Sequence, residues 1–237
     1  MASVTSNIST FYLHLMEDFD TEHSLVVLQC VLDALTLPCL TLFELESSEY
    51  PRCPLLWPHH AFLALCARSG FDSTLRTLEI YEVHITEAQL VGVLPHLPSL
   101  ERLAISDHQP VAPISARAGV GADEVLVTDT LLAKLTRAAD SDAPSLVPCL
   151  SSLGCQTMMR FDDHKLLALA VSRISDDSDA GQAQNVPGSC HFGIELSWLP
   201  NHERKIDEAV LARLDSLKIS MNRRFTFRVS AAKDEWV

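Results

Sequence analysis

Along residues 96–108, HLPSLERLAISDH, the hydrophobic period changes within one short segment. Leu97, Leu100 and Leu103 stand three apart, which suits a helix or a turn, whereas Leu103 and Ile105 stand two apart, which suits a strand. Leu37, Leu40, Phe43 and Leu45 repeat the same offsets. Leu75, Leu78 and Ile80 match their later part, as do Leu150, Leu153 and Cys155. The shared form, L-x-x-L-x-[L/I/C], predicts a turn that leads into a strand with one face inward, at 43–45, 78–80, 103–105 and 153–155.

A second pattern alternates with the first. ITEAQLVGV (85–93), VTDTLLAKL (127–135), FDDHKLLAL (161–169) and IDEAVLARL (206–214) superimpose without a gap, and WPHHAFLAL (57–65) is a looser copy with Pro58 in the cap region. Each is a helix start. Thr86, Thr128, Asp162 and Asp207 suit the N-cap, where a side-chain oxygen accepts an otherwise unpaired backbone N–H. The acidic residue that follows favours the positive end of the helix, and the spaced leucines make one apolar stripe.

One strand and one helix per unit, at irregular spacing, predicts an α/β leucine-rich-repeat solenoid: a mainly parallel sheet with helices on the outer side. The whole chain, 1–237, reads as one such domain, with units beginning near 35, 71, 97 and 146. FYLHL (11–15) reads as an earlier strand, followed by a helix that starts at Asp20 or Thr21, and RFTFRVS (224–230) reads as a final strand. Two stretches, 106–124 and 175–189, are expected to be loops. The repeat is degenerate, because Val83, His108 and Met158 stand where an asparagine or cysteine would supply a backbone ladder. A repeat strand at 11–15 would also leave an open N-terminal edge, which a longer chain or a partner is expected to cover.

Composition narrows the function. Hydrophobic residues make up 47% of the chain, and the formal charge of −13 argues against a nucleic-acid or anionic-membrane surface. Seven cysteines, an odd number set mostly in apolar runs, read as reduced thiols in an intracellular compartment, cytoplasm or nucleus. The apolar window 24–43 is interrupted by Asp33 and Pro38, so no membrane span is expected.

No catalytic, cofactor or metal constellation emerges. His59 and His60, with Cys53 and Cys66 nearby, lack ligand spacing and read as a solvent-facing first helical turn. Cys149 and Cys155 read as packing residues. Ser189, Cys190 and His191 are adjacent, which is not how a nucleophile meets its base. Gly119 and Gly121 lack the setting of a phosphate loop, and Asp176, Asp177 and Asp179 read as a solvated acidic loop. Arg213, Lys218, Arg223, Arg224 and Arg228 give the C-terminus a basic patch that balances neighbouring acids. A hydrolase using His59, His60 or residues 189–191 is the alternative from another functional class.

The order LTLPCL, WPHHAFLALCARSG, STLRTLEIYEVHITEAQLVGVLPHLPSLERLAI resembles the leucine-rich region of F-box proteins of mushroom-forming fungi. VTDTLLAKLT, LVPCLSSLGC, FDDHKLLALAVSR and IDEAVLARLDSLKISM continue the likeness over roughly residues 35–220. The resemblance implies a protein-binding module that selects the target of a cullin-based ubiquitin ligase. In that family an N-terminal F-box docks on the ligase adaptor. No such segment is recognisable here, since LPCL, LPHL and LPSL all belong to the repeats. The alternative within the binding class is a repeat scaffold with no ligase role.

Overall fold

A computed structural model describes residues 4–15, 21–47, 55–107, 125–137, 146–174, 191–199, 204–221 and 224–231. The three-residue leucine spacing is a turn. The Leu97 carbonyl accepts the Leu100 N–H at 3.0 Å, and Leu37 and Val147 accept those of Leu40 and Leu150 at 3.2 Å. The chain then enters a strand by a recurring device, one carbonyl accepting two successive N–H groups of the next strand's entry. Ser9 takes Thr41 and Leu42, Thr41 takes Arg76 and Thr77, Arg76 takes Glu101 and Arg102, and Glu101 takes Ser151 and Ser152.

The elements in chain order are β1 (Val4–Thr5), β2 (Thr10–Leu15), α1 (Thr21–Ala34), β3 (Leu35–Thr36), β4 (Leu42–Ser47) and β5 (Leu55–Leu56). There follow α2 (His59–Ser69), α3 (Phe71–Thr74), β6 (Thr77–Tyr81), β7 (Val83–His84), α4 (Glu87–Val93) and β8 (Arg102–Ser106). The last are α5 (Asp129–Leu135), β9 (Ser152–Thr157), α6 (Asp163–Ile174), β10 (Phe192–Trp198), α7 (Glu208–Ser220) and β11 (Phe225–Ala231). Seven strands form one sheet in the order β2-β4-β6-β8-β9-β10-β11, and every neighbouring pair is parallel. β1 pairs with β3 and β5 with β7, also in parallel.

All four expected strand cores lie in this sheet, and helices begin within a residue or two of 58, 86, 128, 162 and 207. The two-residue strands β1, β3, β5 and β7 lie outside the expected pattern, and so does one strand of the large sheet: β10 alternates Phe192, Ile194 and Leu196 without a leading leucine turn. The first expected loop also starts too early: Ser106 ends β8 and Asp107 is fully buried, while 108–124 and 175–189 lie outside the described residues.

The sheet has two unlike faces. Phe43, Leu45, Leu78, Ile80, Leu103, Ile105, Leu153 and Ile194 are buried on one of them, where Leu28, Phe62, Leu90, Leu132, Leu166 and Leu214 of the helices complete a core. Three charged residues, Asp107, Asp163 and Arg173, are also buried. Asp107 accepts the N–H groups of Leu126 (2.7 Å), Val127 (3.1 Å) and Met158 (2.9 Å) and the Thr157 hydroxyl (2.6 Å). It ties the chain before α5 to the end of β9, a backbone-pairing task like that sought in vain at Val83, His108 and Met158. The Arg173 guanidinium donates to the carbonyls of Leu135, Leu146 and Val147.

The helix starts behave as their composition requires. Thr86 forms a reciprocal capping box with Gln89, and Thr128, Asp162 and Asp207 accept N–H groups of the first turn. The acidic residue after each of the first three caps reaches on to the next helix. Glu87 accepts the Thr128 hydroxyl, Asp129 the Asp162 N–H at 2.6 Å, and Asp163 the Asp207 N–H at 2.8 Å.

Candidate functional site

Because side chains alternate across a strand, the polar residues between the buried ones share the second face of the sheet. Parallel register sets them in rows. The middle row runs Tyr12, Glu44, Glu79, Ala104, Gly154, Glu195, Arg228 from the first strand to the last. No described helix packs on this face, and Tyr12, Glu195 and Arg228 are exposed.

The row is chemically graded. At its early end Glu44 and Glu79 are direct neighbours, with Glu46 one row away. Burial raises the Glu44 carboxyl above its usual range, the charges of Glu79 and Glu46 add to the rise, and His14 opposes it. Arg102 relieves the crowding through a hydrogen bond from Nε to Glu79 Oε1 at 2.7 Å, which raises the already high pKa of the guanidinium further. The Tyr81 hydroxyl donates to the other Glu79 oxygen at 3.1 Å, and burial followed by that carboxylate pushes the phenol up. The centre is low. A Cβ added at Gly154 would stand 3.4 Å from the Ala104 Cβ. At the late end Glu195 faces Arg228 across β10 and β11.

A groove of about 960 Å³ opens where this face meets the entries of β8 to β11. Ser152, Gly193 and Thr226 form its floor, and Arg102, Arg137, Arg173 and Arg228 stand around it with Glu101 and Glu195.

The residues singled out by sequence are scattered. His60 is exposed at the start of α2, as expected, but His59 is not fully solvent-facing. Its ring lies 3.5 Å from where a Gly92 Cβ would stand, and its buried Nδ1 has no hydrogen-bond partner. Burial lowers its pKa, and His60 and His96 lower it further. Cys66 and Cys155 are buried core residues; burial pushes the Cys66 thiol up to about 12 and raises that of Cys155. Cys149 is exposed, at the edge of the groove. His191 is exposed just before β10, whereas Cys53, Gly119, Gly121, Asp176, Asp177, Asp179, Ser189, Cys190 and Arg223 lie outside the described residues.

Among the described residues, Arg213, Lys218 and Arg228 of the expected C-terminal basic patch do not share one surface. Arg228 alternates with buried Phe225 and Phe227 and so stands on the open face, while Arg213 and Lys218 are on α7, which packs against the covered side. Among the described residues no cluster of His, Cys, Asp or Glu is arranged to hold a metal ion, and no helix is long and apolar enough to cross a membrane. Sequence reasoning passed over the open face itself. Its signal was the polar half of each strand, such as Glu44 and Glu46 in LFELES, which looks the same as ordinary solvated positions. No family model, curated protein or solved structure matches the chain.

Proposed function

We propose that this chain is a protein-binding module of leucine-rich-repeat type, which receives its partner on the open face of the sheet. The observation that carries the reading is the strand order. It follows the chain without a reversal from β2 to β11; the core of the described helices lies on one face, and the other exposes Tyr12, Glu195 and Arg228 though Ala104 and Ser106 are buried there. A doubly wound nucleotide-binding sheet would reverse its order at a switch point and carry helices on both faces. Sequential stacking instead produces a broad side-chain surface suited to another protein.

Within this reading the module is the target-selecting region of an F-box-type subunit of a cullin-based ubiquitin ligase, working inside the cell. The resemblance over residues 35–220 supports that part, and adaptor binding would belong to an F-box segment. A scaffold with no ligase role is the second reading.

The test is affinity capture from a lysate of the source organism with three forms: the wild type, a variant with Glu44, Glu46 and Glu195 changed to Lys, and Arg213→Glu on the covered side. A partner retained by the wild type and Arg213→Glu, and lost by the triple variant with an unchanged melting curve, supports the module. Retention that ignores the open face counts against it. A captured partner without the ligase adaptor leaves the scaffold reading.

A further inference from the structure

The chain carries a net charge of −13, yet four arginines and two glutamates line the groove at the entries of β8 to β11. One of those glutamates, Glu101, already lies 3.5 Å from Arg76, a cation outside the groove. The positive side is held in place. Arg173 is anchored by its bonds to the carbonyls of Leu135, Leu146 and Val147, and Arg102 by Glu79. Arg228 is exposed at the far end, on the last strand.

Between these arginines the floor is kept low by packing. Arg102, Ser152, Gly193 and Thr226 are consecutive in register across four strands. A Cβ at Gly193 would meet Thr226 Oγ1 at 2.9 Å, so that position takes no side chain without a shift. Four strands at their usual separation span roughly 15 Å, about the length of four or five extended residues. A single extended chain fits this trough, and its carboxylates would reach guanidinium groups at both ends. The guanidinium fork matches a carboxylate in bidentate geometry.

We infer that the groove receives an extended acidic segment of the partner protein, with Arg102 and Arg228 gripping its carboxylates and Gly193 admitting its backbone. The inference rests on the protein-binding reading above and specifies the chemistry of the partner. Nucleic acid is the disfavoured polyanion. Its long charged backbone would meet the repulsion of the whole molecule, and among the described residues no Phe, Tyr or Trp stands at the floor positions Ser152, Gly193 and Thr226.

The probe is a fluorescein-labelled peptide of about ten residues alternating Glu and Ser, titrated by fluorescence anisotropy at about 50 and 300 mM salt. A Lys–Ser peptide and a single-stranded RNA of similar length are the comparisons. Saturable binding of the Glu–Ser peptide is expected, weakened by salt and reduced about tenfold in Arg228→Glu. Arg213→Glu, on the opposite side, should change it less than about twofold. Circular dichroism melts matching the wild type would show that both variants fold. No saturation of the Glu–Ser peptide, equal affinity in Arg228→Glu and wild type, or tighter binding of the RNA would each overturn the inference. If the peptide fails while the open-face variant still loses the captured partner, this inference alone falls; if both fail, the protein-binding reading falls with it.

Discussion

The Asp163 carboxylate accepts the backbone N–H of Asp207 at 2.8 Å, so the first turn of α6 holds the N-cap of α7. The same relation joins Glu87 to Thr128 and Asp129 to Asp162. It accounts for the third position of the helix-start pattern, where an acid serves its own helix dipole and the next helix's cap together.

This relation has a cost when it is broken in the interior. Asp163 is 8% exposed and also contacts the Arg204 guanidinium. Asp163→Ala should therefore destabilise the fold by about 1–2 kcal/mol, as expected when a buried acceptor is taken from a part-buried N–H and a half-exposed guanidinium. Glu208 holds the same place in α7 but is exposed, and Glu208→Ala should cost less than about 1 kcal/mol. Urea midpoints at pH 7 check the pair, and equal losses would mean that the inter-helix bond contributes little.

Leu103 is fully buried on β8, while Glu101, two residues earlier, is exposed. Leu103→Ala should cost about 2–5 kcal/mol through lost burial and a cavity. Glu101→Ala should cost well under about 1 kcal/mol, because its pairing with Arg76 is between half-exposed side chains. Denaturant melts of the two variants distinguish these outcomes, and similar shifts would place the register in error.

The legible part of the fold was its apolar skeleton. Leu78, Leu100, Leu103, Ile105, Leu132 and Leu166 are all buried as their spacing requires. β10 escaped because its apolar residues alternate without a leucine-led turn before them. Asp107 and Arg173 escaped for another reason. Their bonds reach segments 19 to 51 and 26 to 38 residues away, and nothing local marks a charged residue as a buried tie. The candidate face was hidden for the same reason. Glu79 and Arg102 are 23 residues apart and become neighbours only through the register of β6 and β8.

The thiols should divide by burial. Cys30, Cys39 and Cys149 are exposed, whereas Cys66 and Cys155 are buried with raised pKa values. Iodoacetamide labelling of the native protein at pH 8, read by peptide mass spectrometry, should modify the first three and spare the other two until denaturant is added. Modification of Cys155 at the rate of Cys149 would show that the sheet opens readily.

His59 should make stability depend on pH. Its folded pKa lies below the ordinary 6.5, with burial as the main cause. The unfolded chain therefore binds more protons in that window. The contribution is present above 6.5 and is lost as pH falls through the lowered folded value. His59→Gln should reduce the fall in urea midpoint between pH 7.5 and 5.5, and an unchanged slope would assign that fall to other groups.

The proposed function requires that a partner protein sit on the open face of the sheet. Photo-crosslinking with benzoylphenylalanine tests this most directly, using Glu46 and Glu195 on that face and Arg213 on the covered side as the substituted positions. The account predicts adducts to one common partner from Glu46 and Glu195 and none from Arg213. Adducts from Arg213 with none from the open face would contradict it.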